Sequence, residues 1–146
     1  MDPEVRMLLE CAYEAFESAG LTIEDVTGSN MAVCAGTCFR DFHDSHLRDP
    51  STLSRFYLTG NGMAMISNRV SHFFDLKGPS IAVDTGCSTT LTLLHLACQS
   101  LRTGDAEMAM VGGSNALINP DMFISGTILG YEMALGSLFL FYMILT

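Results

Sequence analysis

The sequence predicts an α/β fold, with helices layered around a mixed or parallel sheet. Three observations point there. Segments with helical spacing alternate with short apolar runs, in the order helix, strand, helix, strand, helix, strand. Apolar residues make up 49% of the 146 residues, so a real core can be buried. Charged residues make up only 16%, too few for a solvated disordered chain. The length fits one ordinary domain.

Asp2-Pro3 is a helix start, with Asp as N-cap and Pro at the first helical position. Val5, Leu8, Leu9, Ala12, Phe16 and Ala19 follow at helical spacing, and Gly20 closes the helix. Residues 21–30 read as a loop, and 31–37 as a short buried strand. Residues 38–60 are polar and mixed. Met63, Ile66, Val70, Phe73 and Phe74 return to helical spacing before a turn at Lys77-Gly78-Pro79. Residues 80–85 read as a second buried strand. Leu91, Leu94, Ala97, Cys98 and Leu101 mark the apolar face of a helix that ends at Gly104. Residues 106–111 read as a third strand, closed by Gly112-Gly113.

From Tyr131 the pattern breaks. Glu132 is the last charge, and residues 133–145 are apolar except for Gly136 and Ser137. About 13 such residues fall short of the ~20 that cross a bilayer, so a buried helix or strand is favoured over a membrane span or a tail outside any fold.

Lys and Arg total 7 against 16 Asp and Glu, a formal charge of −9 that repels phosphate backbones and argues against nucleic acid as a partner. A mean hydropathy of +0.32 is high for this size and predicts a mostly buried piece of something larger, or an exposed apolar patch. The opening Met1-Asp2-Pro3-Glu4 has neither the basic nor the apolar region of a signal peptide. Five cysteines, an odd number without CxxC spacing, read as free thiols in a reducing cytoplasm.

Cys87 is the residue suited to chemistry. It sits between an apolar strand and a helix, among small or polar neighbours. Such a junction lifts a nucleophile out of a sheet. The free N–H groups and positive dipole of a helix start favour thiolate over thiol, and those amides also suit the oxyanion of an attacked thioester. Read alone, a buried structural cysteine at a helix start is the commoner case.

The histidines do not supply an obvious partner. His95 is eight residues beyond Cys87 on one helix, ~12 Å along the axis at 1.5 Å per residue, against the ~3 Å of a thiol–imidazole pair. It reads as a half-buried packing residue, and His72 as structural. His43 and His46, near Asp41 and Asp44, read as a solvated loop and no metal site is expected. Thr59-Gly60-Asn61-Gly62 reads as a turn, not a phosphate cradle. The ten methionines read as packing.

The surroundings of Cys87 carry more. Gly78-Pro79-Ser80, Val83-Asp84-Thr85-Gly86-Cys87-Ser88-Thr89 and Leu94-His95-Leu96-Ala97-Cys98-Gln99-Ser100-Leu101-Arg102 resemble the active-site segment of β-ketoacyl synthases. The resemblance extends to Asn68-Arg69-Val70-Ser71-His72-Phe73-Phe74-Asp75-Leu76, to the Met1–Glu10 stretch, and to Val111-Gly112-Gly113-Ser114-Asn115. It is greatest to the ketosynthases of fungal reducing iterative polyketide synthases, in which Gly often precedes the nucleophile.

This resemblance implies a partial thiolase-like fold and a dimer. It gives Cys87 the role of accepting an acyl chain from the phosphopantetheine of an acyl carrier protein, with no cofactor bound directly. A malonyl carrier thioester then decarboxylates and its carbanion attacks the acyl-cysteine. The family's two assisting histidines belong to HGTGT-like and NIGH-like motifs, which this sequence does not contain, nor does its opening contain the family's first strand. The expected division is a partial β-ketoacyl synthase N-terminal domain over 1–130 and an apolar tail unlike the family over 131–146. The chain is expected to be unable to condense by itself. A non-catalytic remnant that associates with a full-length partner is the alternative, and a small acyl-transfer module using Cys87 alone the third reading. An open sheet edge and partly bare Leu91, Leu94 and Leu101 predict low solubility.

Overall fold

A computed structural model describes residues 1–130 and 139–145. Helix α1 (Pro3–Ser18) starts as expected, with the Asp2 carboxylate accepting a hydrogen bond from the Glu4 N–H at 2.9 Å. It buries Val5, Leu8, Ala12 and Phe16. The Phe16 ring meets Phe74 edge-on, with centroids 5.0 Å apart, which joins α1 to the end of helix α5 (Met65–Phe73).

Strand β1 (Met31–Gly36) runs down the middle of the sheet and is buried throughout. It pairs in parallel with β2 (Ser80–Ala82) and β3 (Met108–Asn115), and β3 pairs antiparallel with β4 (Phe139–Leu145). The sheet order is β2-β1-β3-β4, a mixed sheet. Alternation along β1 divides the core. Met31, Val33 and Ala35 face α1 and α5, with Leu8, Phe16 and Val70. Ala32 and Cys34 face α6 (Thr89–Thr103), with Leu93 and Ala97.

Several elements differ from expectation. Strand β2 is short and lies at an edge of the sheet, so its residues are exposed or half-buried and not core. Strand β3 continues through Gly112 and Gly113 to Asn115, because its backbone still pairs with β1 and β4 there. Residues 21–30 contain a one-turn helix, α2 (Ile23–Val26), held by a reciprocal Thr22–Asp25 capping box. The patternless 38–60 stretch contains α3 (Asp41–Leu47), a 3₁₀ turn at Pro50–Thr52, and α4 (Tyr57–Asn61). All of these are too short to develop an apolar period. The Thr59–Asn61 part of the expected turn is thus helical. One further helix, α7 (Asp121–Ile128), follows β3.

Part of the apolar tail is β4, whose Ile144 and Leu145 pack against the two opposite cores. The remainder of the tail reading falls on residues outside those described. No helix among the described residues is long and apolar enough to cross a membrane.

On α6 the buried stripe is rotated from the expected one. Leu93 is fully buried, whereas Leu91 is 71% exposed. Leu94 and Leu101 flank the core as partly buried residues. Leu93→Ala is therefore expected to lower the unfolding free energy by about 2–5 kcal/mol. Leu91→Ala should change it by no more than about 0.5 kcal/mol in urea unfolding.

Candidate active site

The carboxyl ends of parallel β1 and β3 open into a cleft of about 500 Å³, lined by Cys38, Phe39, Cys87, Thr90 and Asn115 among others. Crevices outside the carboxyl ends of parallel strands are where α/β folds hold ligands. The start of α6 forms one wall.

Two glycines permit that placement. A Cβ at Gly36 would come within 2.5 Å of Thr89 Cγ2 and would also collide with the Val83 carbonyl. A Cβ at Gly113 would lie 2.5 Å from Thr90 Oγ1. With only hydrogens there, the first turn of α6 rests directly on the strand ends.

The corner before α6 is a hydrogen-bonded unit. Gly86 adopts φ +69°, a conformation most side chains avoid. Its N–H donates to Asp84 Oδ1 at 2.9 Å. The buried Thr89 hydroxyl accepts from the Thr85 N–H at 2.9 Å and donates to the Gly86 carbonyl at 2.7 Å. Ser88 Oγ donates to the Thr85 carbonyl at 2.9 Å. These bonds present Cys87, which is exposed, immediately before the first residues of a 15-residue helix with no side-chain cap. The amides and dipole of that start suit an anionic group of a ligand in the cleft.

A second thiol, Cys38, lines the same cleft and is half-buried. Burial, with the Asp84 and Cys87 charges and Glu4 adding to it, pushes its pKa up. Cys34 is core, and burial pushes its thiol to about 11.

None of the four histidines lines this cleft. His95 is exposed on α6, not half-buried, because it lies off the Leu93–Ala97 stripe. His72 is exposed in the last turn of α5. His43 and His46 lie on α3 and are half-buried, not in a solvated loop. Arg40 donates to His43 Nδ1 at 3.0 Å, and the Tyr57 hydroxyl lies 2.8 Å from the same nitrogen. Burial and then Arg40 push the His43 pKa down.

Sequence reasoning missed a set of buried carboxylates behind the cleft. Glu4 accepts from the Ala116 N–H at 2.8 Å. Asp41 accepts from the Ile118 and Asn119 N–H groups, each at 2.9 Å. Together they tie the chain after β3 to α1 and to the chain after β1. Burial raises the Glu4 pKa to about 7, with the neighbouring Asp2 and Asp41 adding to the rise. Acids in a first helical turn look like solvated dipole partners, so only the tertiary contacts reveal this role.

Comparison with known proteins fits this geometry. The family model for the β-ketoacyl synthase N-terminal domain matches residues 1–131. The chain belongs to the β-ketoacyl synthase family. It is 69% identical over 141 residues to the highly reducing polyketide synthase poxF of Penicillium oxalicum, covering 97% of this chain and 6% of that protein. It is 60% identical over 130 residues to squalestatin tetraketide synthase of a Phoma species, covering 89% of this chain and 5% of that one. Among solved structures, the ketosynthase from module 6 of the bacillaene synthase of Bacillus subtilis 168 superposes with a TM-score of 0.77 at 32% identity. That match covers 89% of this chain and 21% of the other. The chain thus has the thiolase-like fold, and spans about one twentieth of the length of these curated relatives.

Two measurements check the local physics. Thr89→Val leaves the Thr85 N–H without its acceptor and should cost about 1–3 kcal/mol of stability in thermal or urea unfolding. Glu4 binds its proton more tightly in the folded chain than at its ordinary 4.5, so its contribution is full below pH 4.5 and is lost as pH rises through about 7. Unfolding free energy should therefore fall over that window in the parent relative to Glu4→Gln. Parallel curves would contradict the assignment.

Proposed function

We propose that this chain carries the acyl-accepting nucleophile of a β-ketoacyl synthase in polyketide or fatty-acid assembly, and that the nucleophile is Cys87. One observation supports this above the others: an exposed thiol stands at the start of α6, on the wall of a 500 Å³ cleft, within a chain of that family. The thiolate attacks the carbonyl of an acyl thioester. A carbon–sulfur bond forms, and the oxyanion is held by the N–H groups of the helix start. The carrier thiol then leaves with a proton, and the acyl group remains on Cys87.

The donors are acyl and malonyl groups on the phosphopantetheine of an acyl carrier protein, with no cofactor bound directly. The setting is the cytoplasm. Residues 1–130 form the partial synthase domain and 131–146 are apolar sequence unlike the family, of which Phe139–Leu145 joins the sheet as β4. Pairing of two copies fits the sheet's edge strand β2 and the exposed Leu91.

Loading and condensation ask for different groups. Loading needs the sulfur and the amides. Condensation also needs help with carbon dioxide loss and with the enolate. The imidazoles of this chain lie elsewhere than the cleft, which supports a chain that loads by itself without condensing.

Intact-mass analysis after incubation with a short acyl thioester should find one acyl group on Cys87, absent from Cys87→Ala. Adding malonyl carrier protein should yield no ketoacyl product. Steady product formation would overturn the loading-only reading, and acylation persisting in Cys87→Ala would overturn the nucleophile.

A further inference from the structure

The cleft contains two thiols and the proposed reaction uses one. Cys38 stands two residues beyond Gly36, whose Cβ position faces the Thr89 side chain of α6. β1 ends at Gly36, so Cys38 stands in the chain that leaves the strand at the cleft. Cys38 accordingly lines the cleft together with Gly86 and Cys87. The other three cysteines lie apart from it: Cys34 within the core, Cys11 on α1 and Cys98 on α6.

We propose that Cys38 and Cys87 form an oxidation site, which a hydroperoxide closes into an intramolecular disulfide across the cleft. The exposed Cys87 thiolate attacks the peroxide. A sulfur–oxygen bond forms, the oxygen–oxygen bond breaks, and hydroxide leaves. Cys87 is thereby oxidised to a sulfenic acid and the peroxide reduced. The Cys38 sulfur then attacks the Cys87 sulfur. The sulfur–sulfur bond forms, the sulfur–oxygen bond breaks, and water leaves with the Cys38 proton. A dithiol reduces the disulfide by exchange, returning both thiols and leaving as its own cyclic disulfide.

The unequal exposure sets the order. Cys87 meets the oxidant, whereas Cys38 is half-buried and its thiol is pushed up by burial, so it keeps its proton until the sulfenic acid is beside it. An exposed thiol without such a neighbour proceeds to the irreversible sulfinic acid. The disulfide also removes the sulfur that accepts the acyl group. That consequence rests on the proposed function, but the cross-link does not.

The whole chain, treated with hydrogen peroxide, should lose two hydrogens by intact mass and yield a Cys38–Cys87 linked peptide, with dithiothreitol restoring the original mass. Cys38→Ser should instead accumulate two oxygens on Cys87, which dithiothreitol does not remove. Dibromobimane, fluorescent only when both its arms react, should cross-link the two thiols in the reduced parent and not in Cys38→Ser. Sulfinic acid on Cys87 with Cys38 still open to alkylation would overturn the proposal. A cross-linked protein that still loads acyl groups would support the oxidation site and overturn Cys87 as the acceptor.

Discussion

The site depends on how closely the first turn of α6 approaches the ends of two parallel strands. Gly36 and Gly113 end up beneath Thr89 and Thr90 with no room for a side chain. A methyl group at Gly36 would collide with the Val83 backbone as well as with Thr89, and one at Gly113 would displace the Thr90 hydroxyl. The cleft, the exposure of Cys87 and the orientation of the helix dipole all change with that separation. Cleft chemistry therefore rests on two residues that carry none. The same contact determines which stripe of α6 is buried. With Thr89 seated on β1, the residues one turn and two turns later, Leu93 and Ala97, must face the sheet, and Leu91 must face out.

The two sides of the sheet do different work. On the α6 side lie thiols, hydroxyls and free amides, groups suited to covalent exchange. On the α1 side lie carboxylates that accept from backbone N–H groups. Glu4 and Asp41 satisfy the amides of residues 116, 118 and 119, which leave β3 with no strand partner. Loops bounding a cleft carry such orphan donors, and a buried carboxyl oxygen satisfies them where no strand does. The cost is a buried acid beside two others, which Glu4 meets by holding its proton to about pH 7. Stability behind the cleft is thus coupled to pH, while the thiol side is coupled to redox state.

Much of this was legible in the residue order. The Asp2-Pro3 start of α1, the all-apolar β1, the Leu and Ala spacing of α6 and the small-residue corner around Cys87 each carry a local signal, and each appears in the structure. What was not legible depends on neighbours distant in sequence. A short segment such as Ser80–Ala82 reads the same in the middle of a sheet as at its edge, because only pairing decides. Leu91 fits a helical stripe as well as Leu93 does, and the choice falls to glycines on other strands. His43 and His46 sit in a polar segment with no period, and their half-buried setting comes from Arg40 and Tyr57 against His43 and from Phe42 against His46. Cys38 had no motif at all. It became a cleft residue only through the parallel register that brings the end of β1 beside the start of α6.

Surface composition follows from the same geometry. The mean hydropathy of +0.32 predicted an apolar patch or burial within something larger. The fold meets it with an exposed Leu91, with Ile124, Ile128 and Leu129 on and beside α7, and with an edge strand whose outer side pairs with no strand among the described residues. A formal charge of −9 keeps such a surface from collapsing on itself non-specifically, yet does nothing to satisfy the β2 backbone. A strand edge is satisfied by another strand or by water, and an apolar helix face by another apolar face. Around Cys87 these two needs coincide, since β2 leads into the corner and Leu91 follows it on α6. A partner that supplied both a strand for β2 and an apolar face for Leu91 would thus meet both needs at once.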